Sequence, residues 1–374
     1  MSYSFLQQYW WCIISLLAGL LVFLMFVQGG NFLAMVLGRG EMQRKMIIAS
    51  TGRKWELTFT TLVLFGGAFF ASFPLFYSTS FGGAYWVWIL LLVSFVFQAV
   101  SYEFQVRRGN LLGVNTFRFF LAVNGFIGPF VVGTAVGTFF TGSDFLVNKE
   151  AITDGSLMPT ISVWGSAWHG LEALANPWNV TLGLAVFFLA LTLGALYLIN
   201  NIDDDETVAR LRKTLPVSVV LFLVAFLTWL VHLLVADGFA VVADGTVSME
   251  PYKYLHNFLQ MPPVLALFLL GVLLVLLGFV MGIFTRSKRG IWATGIGSVL
   301  AVFCLFLVAG LNGTAYYPSS HDLQSSLTIA NSSSSPFTLQ VMFYVSLVIP
   351  LVLAYIVYAW RALDAHPITR QDSY

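Results

Sequence analysis

Residues 262–285 read PPVLALFLLGVLLVLLGFVMGIFT and contain no charged side chain. A helix needs about 20 mostly apolar residues to cross the roughly 30 Å hydrocarbon core of a bilayer. The run is long and does not alternate between apolar and polar residues, which favours a helix over a barrel strand. This stretch therefore predicts a transmembrane helix.

Further runs of the same kind extend along the whole chain, which is 58% hydrophobic and only 9% charged. A soluble domain carries about 25% charged residues, so the composition favours lipid as the solvent. The predicted fold class is an all-α integral membrane protein with about nine transmembrane helices. The predicted spans are 9–37, 55–78, 83–106, 115–141, 178–200, 215–236, 262–285, 290–311 and 337–360.

Span lengths and polarity arrange these helices as two groups of four with one additional helix. The first four-helix group covers 1–142 and an extracytoplasmic loop covers 143–177. The second group covers 178–311, and a further extracytoplasmic loop covers 312–336. The final transmembrane helix and a cytoplasmic tail occupy 337–374.

The basic residues predict the orientation of the chain. Of its eighteen Lys and Arg residues, only Lys149 and Lys253 fall on one side of the predicted membrane. The other sixteen, Arg39, Arg286 and Arg370 among them, fall on the opposite side. Cytoplasmic loops carry the excess of Lys and Arg, which predicts an outside N-terminus and a cytoplasmic C-terminus. The net charge of +1 and the lack of a basic aromatic patch argue against nucleic acid as a partner.

Two carboxylates lie near the cytoplasmic ends of neighbouring predicted spans. Glu56 opens the second span directly after Trp55, and Glu103 lies near the end of the third. Ionisable groups at membrane depth are costly, and a pair of them could relay protons inward. The structural alternatives are a first-turn acid at Glu56 and an i,i+4 ion pair between Glu103 and Arg107.

Arg118 lies one turn into the fourth predicted span. It could neutralise Glu103 or Glu56, or extend its guanidinium to lipid headgroups. The predicted spans contain no facing pair of histidines, so the chain alone is a poor haem holder. No Cys/His cluster has the spacing of a zinc site, and no phosphate-binding loop occurs.

Several short motifs follow one another in the first part of the chain. Leu37-Gly38-Arg39, followed by Arg44 and Lys45, forms a first basic loop, Trp55-Glu56 opens the second span, and residues 66–74 read GGAFFASFP. Later in the chain come Asn176-Pro177, Pro318-Ser319-Ser320, the stretch 326–329 reading SLTI, and Leu339. The ordered set, together with nine spans, resembles subunit II of the cytochrome bd-type quinol oxidases.

This resemblance implies a haem-free subunit that supports a haem-bearing subunit I in a bacterial cytoplasmic (inner) membrane. The complex would oxidise quinol and reduce oxygen to water, with haems b and d in the partner and no activity in this chain alone. Glu56 and Glu103 correspond to carboxylates implicated in a proton path from the cytoplasm, and Trp55 would shape its entrance. A structural quinone, contacts with membrane lipid and a small single-helix accessory subunit stay open.

The chain also departs from the pattern that it resembles. Residues 27–31 read VQGGN where the family often has Thr-Asp-Gly-Phe-Asp, and Gln98 stands where the family often has arginine. A charge partner for the carboxylates must then come from elsewhere, with Arg118 as the candidate. Two alternative functions remain: a secondary transporter of a small solute, and a purely structural assembly partner.

Overall fold

The structure, a computed structural model, describes residues 1–38, 40–148, 160–285 and 287–369. Arg39, Lys149, Arg286 and Arg370, on which the predicted orientation partly rests, lie outside these ranges. The helices are α1 (Tyr3–Leu24), α2 (Phe26–Leu37), α3 (Glu41–Gly52), α4 (Trp55–Ser72), α5 (Pro74–Phe76), α6 (Tyr85–Phe104), α7 (Val114–Thr141), α8 (Pro177–Asn201) and α9 (Asp205–Val235). They are followed by α10 (Lys253–Gln260), α11 (Pro262–Phe284), α12 (Gly290–Gly310), α13 (Ile329–Ser332), α14 (Pro336–Ser346) and α15 (Ile349–Leu363).

The predicted all-helical membrane fold is confirmed. Within the described ranges, eight helices or joined helix pairs are long and apolar enough to cross a membrane, and α14 with α15, bent by 42°, makes nine if the pair is one span. The ninth predicted span, 337–360, corresponds to these two helices. Pro350 explains the break, because it has no N–H and its ring would clash with the carbonyl of Ser346 four residues earlier.

Two predicted boundaries were wrong for a shared reason. The segment predicted as the first basic loop contains α3, and α9 begins at Asp205 rather than near 215. Both added segments are polar helix that extends beyond the apolar window. Asp204 starts α9 by accepting a hydrogen bond from the N–H of Thr207 at 3.0 Å. Windows of apolar residues cannot detect such extensions.

Helix α8 lies at the centre of the bundle and packs against helices of both predicted groups. A Cβ atom added at Gly29 of α2 would lie 1.8 Å from the carbonyl oxygen of Ala190 in α8, so the two backbones touch. Gly133 of α7 approaches Gly183 of α8 in the same way. The division into two groups of four therefore stays a prediction, since α8 of the second group packs directly on α2 and α7 of the first.

The ends of the bundle differ in chemistry. Arg44, Lys45, Arg53, Arg107 and Arg212 lie at one end, called the basic end below. Small antiparallel hairpins lie at the other end, where loops were predicted. They pair β1 (Phe145–Val147) with β2 (Ser162–Trp164), and β3 (Gly238–Val241) with β4 (Val247–Glu250).

Candidate functional site

A cleft of about 750 Å³ opens at the basic end, between the ends of α3, α4, α6 and α7. Trp55, Glu103 and Arg118 all line it, so three of the four predicted site residues share one space. Tyr102 and Glu41 also line the cleft, and neither was singled out from the sequence. Glu56 lies outside its walls.

Trp55 starts α4 and stacks on Tyr102 near the end of α6. Their ring centroids are 5.9 Å apart with an interplanar angle of 17°. Stacked aromatic rings at this distance add attraction beyond their buried area. The contact fixes the start of α4 against the end of α6, and it places an aromatic wall at the inner side of the cleft.

Glu103 is exposed and lies beside Arg107 on the same helix. The Nη2 atom of Arg107 is 3.5 Å from a carboxylate oxygen of Glu103, which is the i,i+4 pair given as the structural alternative. Both side chains are more than half exposed, and a pair of this kind contributes about 0–1 kcal/mol. The carboxylate therefore stays accessible to water in the cleft.

Glu56 lies in the first turn of α4, where a negative charge favours the helix N-terminus. Its side chain faces outward, away from the bundle. The exposed positions of α4 follow helical spacing along one face: Glu56, Thr60, Val63, Leu64, Gly67 and Phe70. This face is apolar apart from its two polar residues at the basic end.

Arg118 has a partner that the sequence did not indicate. Its Nη1 atom donates to a Glu41 oxygen at 2.9 Å, and its Nη2 atom contacts the other oxygen of the same carboxylate. The geometry is bidentate, the form that guanidinium and carboxylate groups favour. The expected pairing with Glu103 or Glu56 is thus replaced by Glu41, because α3 carries this residue to the start of α7.

A network of buried amides lies inward from the cleft. The hydroxyl of Tyr102 contacts Asn31 and lies 2.7 Å from the Thr51 hydroxyl. Deeper, Gln28 Nε2 donates to Gln98 Oε1 at 3.2 Å and to the side-chain Oδ1 of Asn124 at 3.4 Å. Polar groups inside a membrane protein are costly unless they are hydrogen-bonded, so this buried network is a candidate for a functional role.

A periodic signal could have located this network from the sequence. Ser94, Gln98 and Tyr102 recur every four residues on α6, and Gln28 and Asn31 are three apart on α2. Residues with these spacings share one helix face. Gln28, Asn31 and Gln98 depart from a family pattern, and the polar face that each helix carries also indicates a polar contact between the two helices.

No group of three or more His, Cys, Asp or Glu side chains in the described ranges is placed to hold a metal ion. His232, a histidine within a span, stacks on Trp178 with ring centroids 3.6 Å apart. An indole on its face leaves this imidazole as a packing residue. The described structure thus gives His232 a packing role.

Comparisons with known proteins agree with the resemblance. The family model for cytochrome bd terminal oxidase subunit II matches residues 6–363. The chain is 28% identical to cytochrome bd-I ubiquinol oxidase subunit 2 of Escherichia coli strain K12, covering 99% of this chain and 97% of that one. It is 25% identical to cytochrome bd ubiquinol oxidase subunit 2 of Bacillus subtilis strain 168, covering 95% and 97%.

The fold also matches a solved structure, that of bd oxidase from Geobacillus thermodenitrificans. The TM-score is 0.64 at 13% identity, and the match covers 96% of this chain and 99% of that one. An identity this low supports the fold alone, whereas the family model covers nearly the whole sequence. This multi-pass membrane chain therefore belongs to the cytochrome bd terminal oxidase subunit II family.

Proposed function

We propose that this chain is the haem-free subunit of a quinol:oxygen oxidoreductase and that it supplies protons from the cytoplasm for oxygen reduction to water. Family membership implies a subunit I as partner. The observation that carries the proposal is the cleft at the basic end, in which Glu103 and Trp55 meet. In this proposal Glu103 collects protons there, and Glu56 passes them on at the outward face of α4.

The orientation follows from charge. The basic end carries almost all described Lys and Arg side chains, which supports its placement in the cytoplasm of a bacterial inner membrane. The cleft then opens to the cytoplasm. The N-terminus lies outside and the C-terminus inside, as the sequence predicts.

The path toward the partner is supported by exposure. Glu56 ends a stripe of exposed residues on α4 that includes Val63 and Phe70, and a second membrane subunit could cover this face. Glu56 would then lie between the two subunits. In this proposal haems b and d reside in subunit I, and a structural quinone or a small accessory helix would be additional components.

One observation favours the alternative of a purely structural assembly partner. The Glu103–Arg107 contact is the ordinary i,i+4 pair of a helix end, and it explains Glu103 without proton transfer. The transporter alternative has no comparable support, because the family model describes an oxidase subunit.

The deciding experiment replaces Glu103 in the assembled complex. Glu103→Gln keeps the shape of the side chain and removes its titratable group, and we expect oxygen consumption to fall about tenfold or more with the haem spectrum intact. Glu103→Asp should restore most of the rate.

Glu206 offers a matched control, because it forms the same i,i+4 pair with Arg210 at the basic end, outside the cleft. Glu206→Gln should leave oxygen consumption unchanged. A normal rate in Glu103→Gln would remove proton supply through Glu103 and leave the structural role.

A further inference from the structure

A second cavity lies beside the cleft, between α2, α3 and α7. Its volume is about 280 Å³, and Arg118 lines both spaces. Its polar walls are Arg44, Arg118, Asn31 and Asn115, and the remaining walls are apolar. A space with apolar walls and a few convergent polar groups is typical of a ligand site.

Hydrogen-bond donors in this cavity lack acceptors. Asn31 is only 1% exposed, and its Nδ2 atom has no partner among the described residues. The Nε atom of Arg118 is likewise buried and unpartnered. A guanidinium group donates but cannot accept, so a ligand that pairs with both groups must carry hydrogen-bond acceptors.

The charge around the cavity favours an anion. Glu41 is the carboxylate nearest to Arg118, and both of its oxygens are engaged by that guanidinium. In the described part of the chain, Arg44 forms no ion pair, and Lys45 follows it on the same helix. The site therefore carries an uncompensated positive charge at the end of the bundle.

The surroundings indicate where the anion comes from. Arg118 lies one turn into α7, at the depth where lipid headgroups meet a membrane span. Beside the cavity, Met35 and Val36 of α2 and Phe119 of α7 are each more than half exposed. An apolar surface next to cationic groups at a span end matches a phospholipid, whose phosphate and acyl chains need both.

We infer that this cavity binds the phosphate of an anionic phospholipid between Arg44 and Arg118, with the acyl chains along α2 and α7. Asn31 donates to the headgroup from its buried Nδ2 atom. The bound lipid would then lie between the cleft and the surrounding bilayer. This inference does not depend on proton transfer through Glu103.

The test uses the purified two-subunit complex, stripped of lipid in detergent. Native mass spectrometry measures binding of added dioleoylphosphatidylglycerol to the complex. Dioleoylphosphatidylcholine, a zwitterionic lipid with the same acyl chains, and inorganic phosphate, a free anion, are the comparison ligands. We expect saturable binding of phosphatidylglycerol and about tenfold weaker binding in Arg44→Gln, the loss of one charged hydrogen-bonding group. Arg44→Lys should recover part of the affinity.

Arg361 provides the control, because it is exposed at the same end and lies outside the cavity. Arg361→Gln should bind phosphatidylglycerol normally. Equal binding of both lipids, or unchanged affinity in Arg44→Gln, would overturn the inference. If inorganic phosphate binds as well as phosphatidylglycerol, the anion in the cavity is free phosphate and not a lipid headgroup. If Arg44→Gln loses subunit I, the partner of Arg44 is a carboxylate of that subunit and not a lipid.

Discussion

Lys54 and Asp364 form a buried ion pair that joins the end of the chain to the start of α4. Lys54 Nζ lies 3.0 Å from Asp364 Oδ1, and the lysine side chain is fully enclosed. The same ammonium lies 4.8 Å from the ring centroid of Trp360, and Asn201 Nδ2 donates to Asp364 at 3.1 Å. Because Trp55 follows Lys54 directly, this pair also anchors one wall of the cleft.

Breaking the pair should destabilise the protein unequally from its two sides. Asp364→Asn leaves a buried lysine without its counter-charge, at a cost of about 3–5 kcal/mol. Lys54→Met should cost less, because Asp364 is 18% exposed and water can reach it. Thermal unfolding in detergent measures both. The exposed Lys288–Asp203 pair is the control: Lys288→Met should cost about 0–1 kcal/mol, and an equal loss there would contradict the argument.

The hydroxyl of Tyr102 should stabilise the start of the amide network. Tyr102→Phe keeps the stack on Trp55 but removes the contacts with Asn31 and Thr51. An unsatisfied buried polar group costs about 1–3 kcal/mol, which a lowered unfolding temperature would report. Tyr358, whose ring is exposed on α15, is the control. If Tyr358→Phe lowers the unfolding temperature as much, the hydroxyl of Tyr102 has no special role.

The spans could be predicted because lipid imposes a simple rule on the sequence. Each needs about 20 apolar residues, and residues 262–285 satisfy that rule without any tertiary information. Helix α3 escaped prediction because it is polar on average and lies at the end of the bundle. Its existence depends on packing against the bundle, for example at the buried Met46.

The site could be predicted only in part. The distribution of Lys and Arg was sufficient to place Trp55, Glu103 and Arg118 at one end, where the structure brings them into one cleft. The partner of Arg118 could not be predicted, because it depends on how α3 is oriented over α7. Glu41 is four residues from Lys45 and reads as an ordinary surface acid until that geometry is known.

Acid should loosen the β3–β4 hairpin. His256 Nδ1 lies 2.9 Å from a Glu250 oxygen and Lys253 Nζ lies 3.1 Å from the other, and these contacts lower the pKa of Glu250 below its ordinary value. Because the pKa of Glu250 is lower in the folded state, its ionised carboxylate stabilises the hairpin above the ordinary carboxyl range. This stabilisation is lost as the pH falls through the folded-state pKa.

Hydrogen exchange of residues 238–250, corrected for its intrinsic pH dependence, should therefore show protection that falls as the solution is acidified below about pH 4.5. Glu250→Gln should be less protected at neutral pH and nearly independent of pH. Helix α12 serves as the internal reference, because its protection should not change. A hairpin with the same pH response in wild type and Glu250→Gln would exclude this carboxylate as the cause.

The contact between α2 and α8 should make Gly29 intolerant of any side chain. A Cβ atom there would lie 1.8 Å from the carbonyl oxygen of Ala190, so Gly29→Ala must move one helix and should cost about 1–3 kcal/mol. Gly67 is the matched control when this subunit is unfolded without a partner over α4, because no heavy atom of the chain lies within 4 Å of the added Cβ. Gly67→Ala should instead gain up to about 1 kcal/mol from helix propensity. Equal unfolding temperatures for the two variants would show that α2 and α8 can separate at little cost.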